Sequence, residues 1–217
     1  MKINLRNAGK RFNREWIFRN ATLEFSSPYA YAITGPNGSG KSTLLQVLGG
    51  MLQLSEGKME YEKELVVGSK QLAVEESYRE ISFCAPYLDV IEEMTLNEFL
   101  DFHNQFKNFL PSFNTKKIIS EISLEAAANK QIRYYSSGMK QRVKLAQAIF
   151  SDTAIVLLDE PCSNLDAKGI ALYHSLINSY CKDRLVIVCS NDEVEYSFCD
   201  EVISITDFKA PNPTFSQ

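Results

Sequence analysis

One glycine-rich turn carries residue types with a clear chemical use. Residues 35–42 read Gly-Pro-Asn-Gly-Ser-Gly-Lys-Ser, with glycine at three of the eight positions. Glycines let successive backbone N–H groups turn inward, where they can cradle phosphate oxygens. We predict that Lys41 bridges the terminal phosphates of a nucleotide and that the Ser42 hydroxyl binds Mg²⁺. The predicted phosphate-contacting residues are Gly35, Pro36, Asn37, Gly38, Ser39, Gly40, Lys41, Ser42 and Thr43.

Two acidic residues after an apolar run form a second candidate site. The run Ile155–Leu158 predicts a buried strand, and Asp159 and Glu160 follow it directly. Ligands bind at the carboxyl edge of a parallel sheet, so both carboxylates are expected at that edge. We predict that Asp159 holds Mg²⁺, directly or through water, and that Glu160 polarises an attacking water molecule. A pair of solvated turn residues is the alternative, which the complete phosphate loop disfavours.

The order of helices and strands must bring these two sites together. Residues 2–33 are predicted to be rich in strands, and the last of these leads into the glycine-rich turn. Later apolar strands alternate with helices, which indicates a parallel sheet covered on both faces. The predicted helices cover 42–51, 95–110, 115–128, 139–150 and 168–180. The predicted later strands include Leu65–Val67, Ile81–Phe83, Ile155–Leu158, Leu185–Cys189 and Val202–Ile205.

This pattern predicts one α/β domain over residues 1–217. The core of this domain consists of residues 1–87 and 151–208 and has a β-rich N-terminal part. A helical subdomain over residues 88–150 is inserted into the core. Residues 209–217 are predicted to be a loose tail.

Composition excludes several classes of protein. The 217 residues carry a formal net charge of −4, and 45% of them are hydrophobic, as in a globular domain. No apolar run approaches the ~20 residues that span a bilayer, and no secretory signal is visible, so we expect a soluble intracellular protein. The acidic balance argues against a nucleic-acid partner. The five cysteines lack the spacing of a zinc site or disulfide framework.

A further segment resembles the signature of a known family. Residues 135–142 read Tyr-Ser-Ser-Gly-Met-Lys-Gln-Arg and are predicted to open a helix. They resemble the signature motif of ATP-binding cassette (ABC) ATPases, with Ser137 in place of a glycine and Met139 in place of a glutamine. Residues 163–166 resemble the D-loop of the same family. The motifs follow the family's order from about residue 2 to residue 206.

The resemblance implies a P-loop NTPase core of the ABC type, with an N-terminal antiparallel β part and an inserted α-helical subdomain. It implies ATP and Mg²⁺ as cofactors. In relatives, two such domains pair head to tail, so that Ser136 and Gly138 of one would cap the γ-phosphate held by Lys41 of the other. Asp166 would contribute to the nucleotide site from the D-loop.

An aromatic residue near the N terminus completes the implied nucleotide site. Phe12 matches the ring that stacks on adenine in relatives of the family. Trp16 is a weaker candidate for the same role, and plain core packing is the alternative for either ring.

Two positions depart from the family pattern. Relatives carry a glutamine where Pro86 stands here, and Gln71 and Gln105 are too far along the chain to be obvious substitutes. Relatives also carry a histidine that contacts the γ-phosphate where this chain has Asn191. An asparagine can donate a hydrogen bond to phosphate but cannot take up a proton. We therefore predict a slow, dimer-dependent ATPase in which Lys41, Glu160 and Asn191 are the catalytic residues.

The resemblance also implies what the ATPase serves. It implies a transporter subunit, peripheral on the cytoplasmic face of a membrane, that pairs with a second nucleotide-binding domain and with a separate transmembrane permease. The compact chain and the signature variant look more like exporters than importers. An ATP-dependent binding switch with feeble hydrolysis is one alternative, and a soluble non-transport ABC ATPase is another.

A phenylalanine-rich helix is the candidate permease contact. The predicted helix over 95–110 lies in the subdomain that meets the permease in relatives, and packing of its rings within that subdomain is the alternative. Its four rings belong to Phe99, Phe102, Phe106 and Phe109.

Overall fold

Two β-sheets and the helices around them make up the fold, which the computed structural model describes for residues 1–64 and 68–209. The predicted strand Leu65–Val67 and residues 210–217 of the predicted tail lie outside this range. The strands are β1 Lys2–Phe12, β2 Glu15–Ser26, β3 Ala30–Thr34, β4 Glu56–Glu64, β5 Ser69–Leu72, β6 Ile81–Cys84, β7 Ile155–Asp159, β8 Leu185–Cys189 and β9 Glu201–Ser204. The helices are α1 Lys41–Leu48, α2 Val74–Ser77, α3 Leu96–Asn104, α4 Thr115–Glu121, α5 Ser137–Ile149, α6 Ala167–Tyr180 and α7 Glu193–Tyr196.

The N-terminal part is an antiparallel sheet with strand order β2-β1-β4-β5. Residues 2–33, predicted to be rich in strands, form two long strands, β1 and β2, and most of the shorter strand β3. Register shifts interrupt the pairing of β1 with β2 without ending it. Asn7 and Asn20 take left-handed backbone angles in these strands, which asparagine tolerates better than most residues. The shifts keep apolar side chains on the buried face of a bent strand pair.

The second sheet is parallel, with strand order β6-β7-β8-β3-β9. Within it Ile33 and Asp159 are both register partners of Cys189, the last residue of β8. The carboxyl ends of β3, β7 and β8 therefore meet at one edge. That edge receives both the glycine-rich turn after β3 and the acidic pair at the end of β7.

Both faces of the parallel sheet are buried, as the apolar strands predict. In β7, Ile155 and Leu157 pack with helix α1 and the antiparallel sheet. Val156 and Leu158 point to the opposite face and pack with helices α5 and α6. The mixed α/β architecture with antiparallel and parallel sheets is thus confirmed.

Two of the three α-helices between β6 and β7, α3 and α4, are shorter than predicted. Helix α3 begins at the expected place, because Thr95 and Glu98 form a capping box. It ends at Asn104 rather than at 110, since the Asn104 side-chain oxygen accepts a hydrogen bond of 3.0 Å from the backbone of Phe109. The helix predicted over 115–128 ends at Glu121, shortly before Ser123 takes a left-handed φ of 55°.

Candidate nucleotide and catalytic site

The glycine-rich turn wraps around a cleft at the carboxyl edge of the parallel sheet. Gly35, Gly38 and Gly40 all have φ in the left-handed region, between 75° and 144°. At Gly40 a Cβ would lie 2.4 Å from Ile17, so this glycine also allows close packing. The cleft has a volume of about 240 Å³. Its lining consists of Ile17, residues 37–43 and Glu160.

Lys41, near the end of this turn, is buried. Its ammonium group donates hydrogen bonds of 2.7 Å to the carbonyl of Gly35 and 3.4 Å to that of Pro36. The nearby Ser39 hydroxyl is buried and has no partner among the described residues. A buried hydroxyl without a partner costs free energy unless a ligand satisfies it. The turn thus presents an unsatisfied hydroxyl, that of Ser39, where a phosphate would bind.

Asp159 ends strand β7 and supplies a carboxylate at the same edge. It is buried, and its Oδ1 has no hydrogen-bond partner in residues 1–64 and 68–209. Burial raises the pKa of this carboxyl, and the neighbouring Ser42 hydroxyl partly opposes the rise. Hydroxyl and carboxylate oxygens are ligands that Mg²⁺ prefers. Ser42 and the unsatisfied oxygen of Asp159 therefore fit this cation.

Glu160 lines the cleft directly after Asp159 and is exposed to it. Its φ of 44° is left-handed, which is uncommon for a residue other than glycine. Its backbone N–H donates a hydrogen bond of 2.9 Å to the carbonyl of Cys189 in β8. A strained conformation held by such contacts is found at functional sites, where it fixes the direction of a side chain.

Asn191 follows the end of β8 and contacts one residue of the cleft lining. Its side chain forms a hydrogen bond with Asn37 in the glycine-rich turn. The two residues are far apart in sequence, and their contact depends on the adjacency of β3 and β8.

Tyr87 is a polar group at this edge that the sequence prediction missed. It directly follows Pro86, and its hydroxyl interacts with Gln46 and with Asp159. Burial is the main cause that raises the pKa of Tyr87 to about 12. The sequence feature that could have identified Tyr87 is its position just after β6, the neighbour of β7 in the sheet.

The signature residues lie at the start of helix α5. Ser136 is its N-cap, and the serine hydroxyl accepts a hydrogen bond of 3.3 Å from the N–H of Met139. At Gly138 a Cβ would lie 2.9 Å from the carbonyl oxygen of Asn164. In the described part of the chain, no hydrogen bond joins Ser136 or Gly138 to the glycine-rich turn. The structure thus packs the signature against the D-loop segment of the same chain.

Asp166 stabilises the start of the helix that follows it. It is the N-cap of helix α6, and its side chain accepts a hydrogen bond of 2.8 Å from the N–H of Gly169. A contact between Asp166 and a nucleotide stays a prediction.

The two aromatic candidates differ in their surroundings. Phe12 is 47% exposed, and the ammonium of Lys10 lies 5.0 Å from the centre of its ring. The guanidinium groups of Arg11 and Arg19 lie over the Trp16 ring, at 5.4 Å and 4.6 Å. Phe12 therefore offers the more accessible ring for stacking.

Fold and site together define a nucleotide-binding protein with a phosphate loop and an acidic strand end. Residues 18–163 match the family described as "ABC transporter". The chain therefore belongs to the ABC transporter family, as an ATPase of the ABC type and the ATP-binding subunit of a transporter. No helix in the described ranges is both long and apolar enough to cross a membrane.

Individual relatives agree with this assignment. The chain is 31% identical to the uncharacterized ABC transporter ATP-binding protein YybJ of Bacillus subtilis, over 91% of this chain and 89% of the relative. It is 26% identical to the putative hemin import ATP-binding protein HrtA of Staphylococcus epidermidis, with 94% of each chain covered. A solved structure, the dimeric post-hydrolysis state of the cassette MJ0796 bound to ADP and Pi, has a TM-score of 0.78 at 23% identity, over 96% of each chain.

Proposed function

We propose that two copies of this chain bind ATP head to tail and hydrolyse it slowly to drive a separate membrane permease. The observation that carries this proposal is the cleft itself. Glu160 lines the same cleft as Lys41 and Ser42, so an attacking water and a terminal phosphate can meet there. The activity of phosphoryl-transfer sites comes mostly from such positioning and from electrostatics.

Each residue of the cleft has a defined task in this proposal. Lys41 exchanges its bonds to the loop carbonyls for bonds to the β- and γ-phosphates. Ser42 and Asp159 would hold Mg²⁺, which supplies positive charge that neutralises the phosphates when it is bound. Glu160 accepts a proton from the attacking water, and Asn191 donates a hydrogen bond to the γ-phosphate.

The second copy completes the site in this proposal. Ser136 and Gly138 lie at a helix start, which favours anions through its free N–H groups and its dipole. Since no hydrogen bond in the described ranges joins them to the glycine-rich turn of their own chain, we assign them to the γ-phosphate bound by the partner. Phe12 stacks on adenine, and Asp166 acts from the D-loop.

The permease contact is assigned to the proposed helical subdomain, residues 88–150. Phe99 and Phe109 are buried there, whereas Phe102 and Phe106 are 38% and 72% exposed, with ring centres 5.0 Å apart. Phe106 also borders a cleft of about 670 Å³ that Tyr78 lines from the core side. An exposed aromatic pair beside a cleft is typical of a protein contact. This contact would hold the chain at the cytoplasmic face of the membrane.

The direction of transport is a separate question. The exporter prediction depends on the compact chain and the signature variant alone, whereas one relative is named as a hemin importer. We therefore propose the exporter direction only as a sequence-based expectation.

Turnover measurements test the proposed chemistry. The purified chain, alone and co-purified with its permease, is compared with Glu160→Gln. Wild type should hydrolyse ATP, and the variant should lose about 100-fold in kcat because the general base is removed. The variant should also accumulate as an ATP-bound dimer in size-exclusion chromatography. Equal turnover of wild type and variant would overturn the catalytic assignment.

A nucleotide-dependent binding switch with feeble hydrolysis is the second candidate. Pro86 and Asn191 favour it, since neither can take up or relay a proton. If the protein is such a switch, ATP would still drive dimerisation, and the turnover of the wild-type chain would be close to that of Glu160→Gln. The same experiment therefore separates the two candidates.

A further inference from the structure

Glu195 is a buried carboxylate that the proposed chemistry does not use. It lies in helix α7, four residues after Asn191, and is only 6% exposed. Its Oε1 accepts a hydrogen bond of 2.9 Å from the backbone N–H of Cys162. Its Oε2 has no partner among the described residues. Burial of a carboxyl with a free oxygen is costly, so packing alone does not explain this residue.

The partner of Glu195 belongs to the loop of the general base. Cys162 comes two residues after Glu160, whose backbone is anchored on β8 through Cys189. The left-handed φ of Glu160 persists only if surrounding contacts hold it. The hydrogen bond from the Cys162 N–H to Glu195 is a second backbone anchor of this loop, two residues after Glu160.

The segment that carries Glu195 is also tied to the phosphate loop. At its start, Asn191 donates a hydrogen bond of 2.7 Å to Asn37. Directly before Asn191, the Ser190 hydroxyl interacts with the Glu195 carboxyl. The Tyr173 hydroxyl donates a hydrogen bond of 2.9 Å to the backbone carbonyl of Glu195. Residues 190–195 therefore bridge the phosphate loop and the loop of Glu160.

We propose that Glu195 is a positioning residue that holds the loop of Glu160 in its active geometry. Glu195 is not among the residues that line the cleft, so it should affect turnover and leave nucleotide affinity unchanged. This inference rests on the proposed role of Glu160 as the general base.

The test compares Glu195→Ala, Glu195→Gln and Tyr173→Phe with the wild-type chain. Alanine removes the acceptor for the Cys162 N–H, and glutamine keeps an acceptor oxygen of the same reach. Phenylalanine at 173 removes a hydrogen bond to the Glu195 backbone and serves as the matched structural control. We measure kcat and KM for ATP, the Tm, and amide hydrogen exchange of the peptide over residues 160–166.

Glu195→Ala should lower kcat between about 10- and 100-fold, with KM within about twofold of wild type. Exchange over 160–166 should become at least about tenfold faster, and Glu195→Gln should restore most of both properties. The proposal is overturned if Glu195→Ala keeps the wild-type kcat or if Glu195→Gln does not restore it. It is also overturned if Tyr173→Phe loses kcat to the same extent as Glu195→Ala at equal Tm. The exchange readout needs no turnover, so it is independent of whether Glu160 is the base.

Discussion

The side-chain amide of Asn191 donates a hydrogen bond of 2.7 Å to the side-chain oxygen of Asn37. Asn37 belongs to the phosphate loop after β3, and Asn191 follows the neighbouring strand β8. The residue that we expect in place of the family's histidine therefore contacts the phosphate loop directly. The two asparagines thus form one hydrogen-bonded pair, of which Asn37 lines the cleft.

Substitution of this pair should weaken nucleotide binding non-additively. Asn37→Ala and Asn191→Ala should each raise the Kd for ATP a few fold, since each loses a hydrogen bond worth about 1 kcal/mol. The double variant should bind nearly as well as the weaker single variant, because contacting residues share one interaction. Titration calorimetry measures this, with the remote exposed Asn129→Ala as control. Fully additive losses would contradict the pairing.

Phe12 should contribute to the affinity for the base of the nucleotide. Phe12→Ala should weaken ATP binding about tenfold, because stacking of a base on an aromatic ring contributes about 1–3 kcal/mol. Phe12→Tyr retains the ring and should bind normally. Binding of pyrophosphate, which has no base, should be the same in all three proteins.

Trp16 provides the contrasting position for this measurement. Its ring is already covered by the guanidinium groups of Arg11 and Arg19. Trp16→Leu should therefore leave ATP affinity within about twofold of wild type. A larger loss in this variant than in Phe12→Ala would assign the stacking role to Trp16.

Much of the site could be predicted because its signals are local. The glycine-rich turn, the capping box at Thr95 and the apolar run Ile155–Leu158 each depend on neighbours within a few residues. Helix α3 was predicted too long because its end is set by a bond from Phe109 back to Asn104, which has no local sequence signal.

The contacts between distant segments could not be predicted. Asn37 meets Asn191, and Cys162 meets Glu195, only because the strand order of the parallel sheet is β6-β7-β8-β3-β9. Periodicity in the sequence indicates a parallel sheet but does not specify which strands are neighbours. The same holds for Tyr87, whose interaction with Asp159 depends on the pairing of β6 with β7.

Gly138 should be intolerant of any side chain. A Cβ there would lie 2.9 Å from the carbonyl oxygen of Asn164, so Gly138→Ala must push the D-loop segment away from helix α5. We expect ATP to bind each single cassette normally, because the phosphate loop is untouched. Turnover and ATP-driven dimerisation should fall at least about tenfold. Normal dimerisation of the variant, measured by light scattering with ATP, would contradict the assignment of this surface to the dimer contact.

His103 should make the stability of the protein depend on pH. Its Nε2 lies 2.8 Å from the Ser151 hydroxyl, and its Nδ1 lies 3.2 Å from the Gln147 amide nitrogen, which donates to it. This arrangement suits the neutral ring, because Nδ1 acts as an acceptor. Burial, and then the charge of Lys107, lower the pKa of His103 to about 4.

The sign of the pH effect follows from this lowered pKa. In the unfolded chain the ring takes up its proton near pH 6.5, whereas in the folded chain it does so near pH 4. The unfolded state therefore binds more protons in this range, and the free energy of unfolding falls as the pH is lowered from about 6.5 to about 4. The loss should be on the order of 2 kcal/mol, since part of the ring is exposed.

Urea unfolding at several pH values measures this contribution. The control is His103→Gln, which keeps a polar side chain at the position but does not titrate. Carboxyl groups titrate equally in both proteins, so the difference between the two stability curves isolates the histidine. The curves should converge between pH 6.5 and pH 4, because only wild type loses the contribution of the neutral ring. Parallel curves over that range would show that His103 is protonated as readily in the folded chain as in the unfolded one.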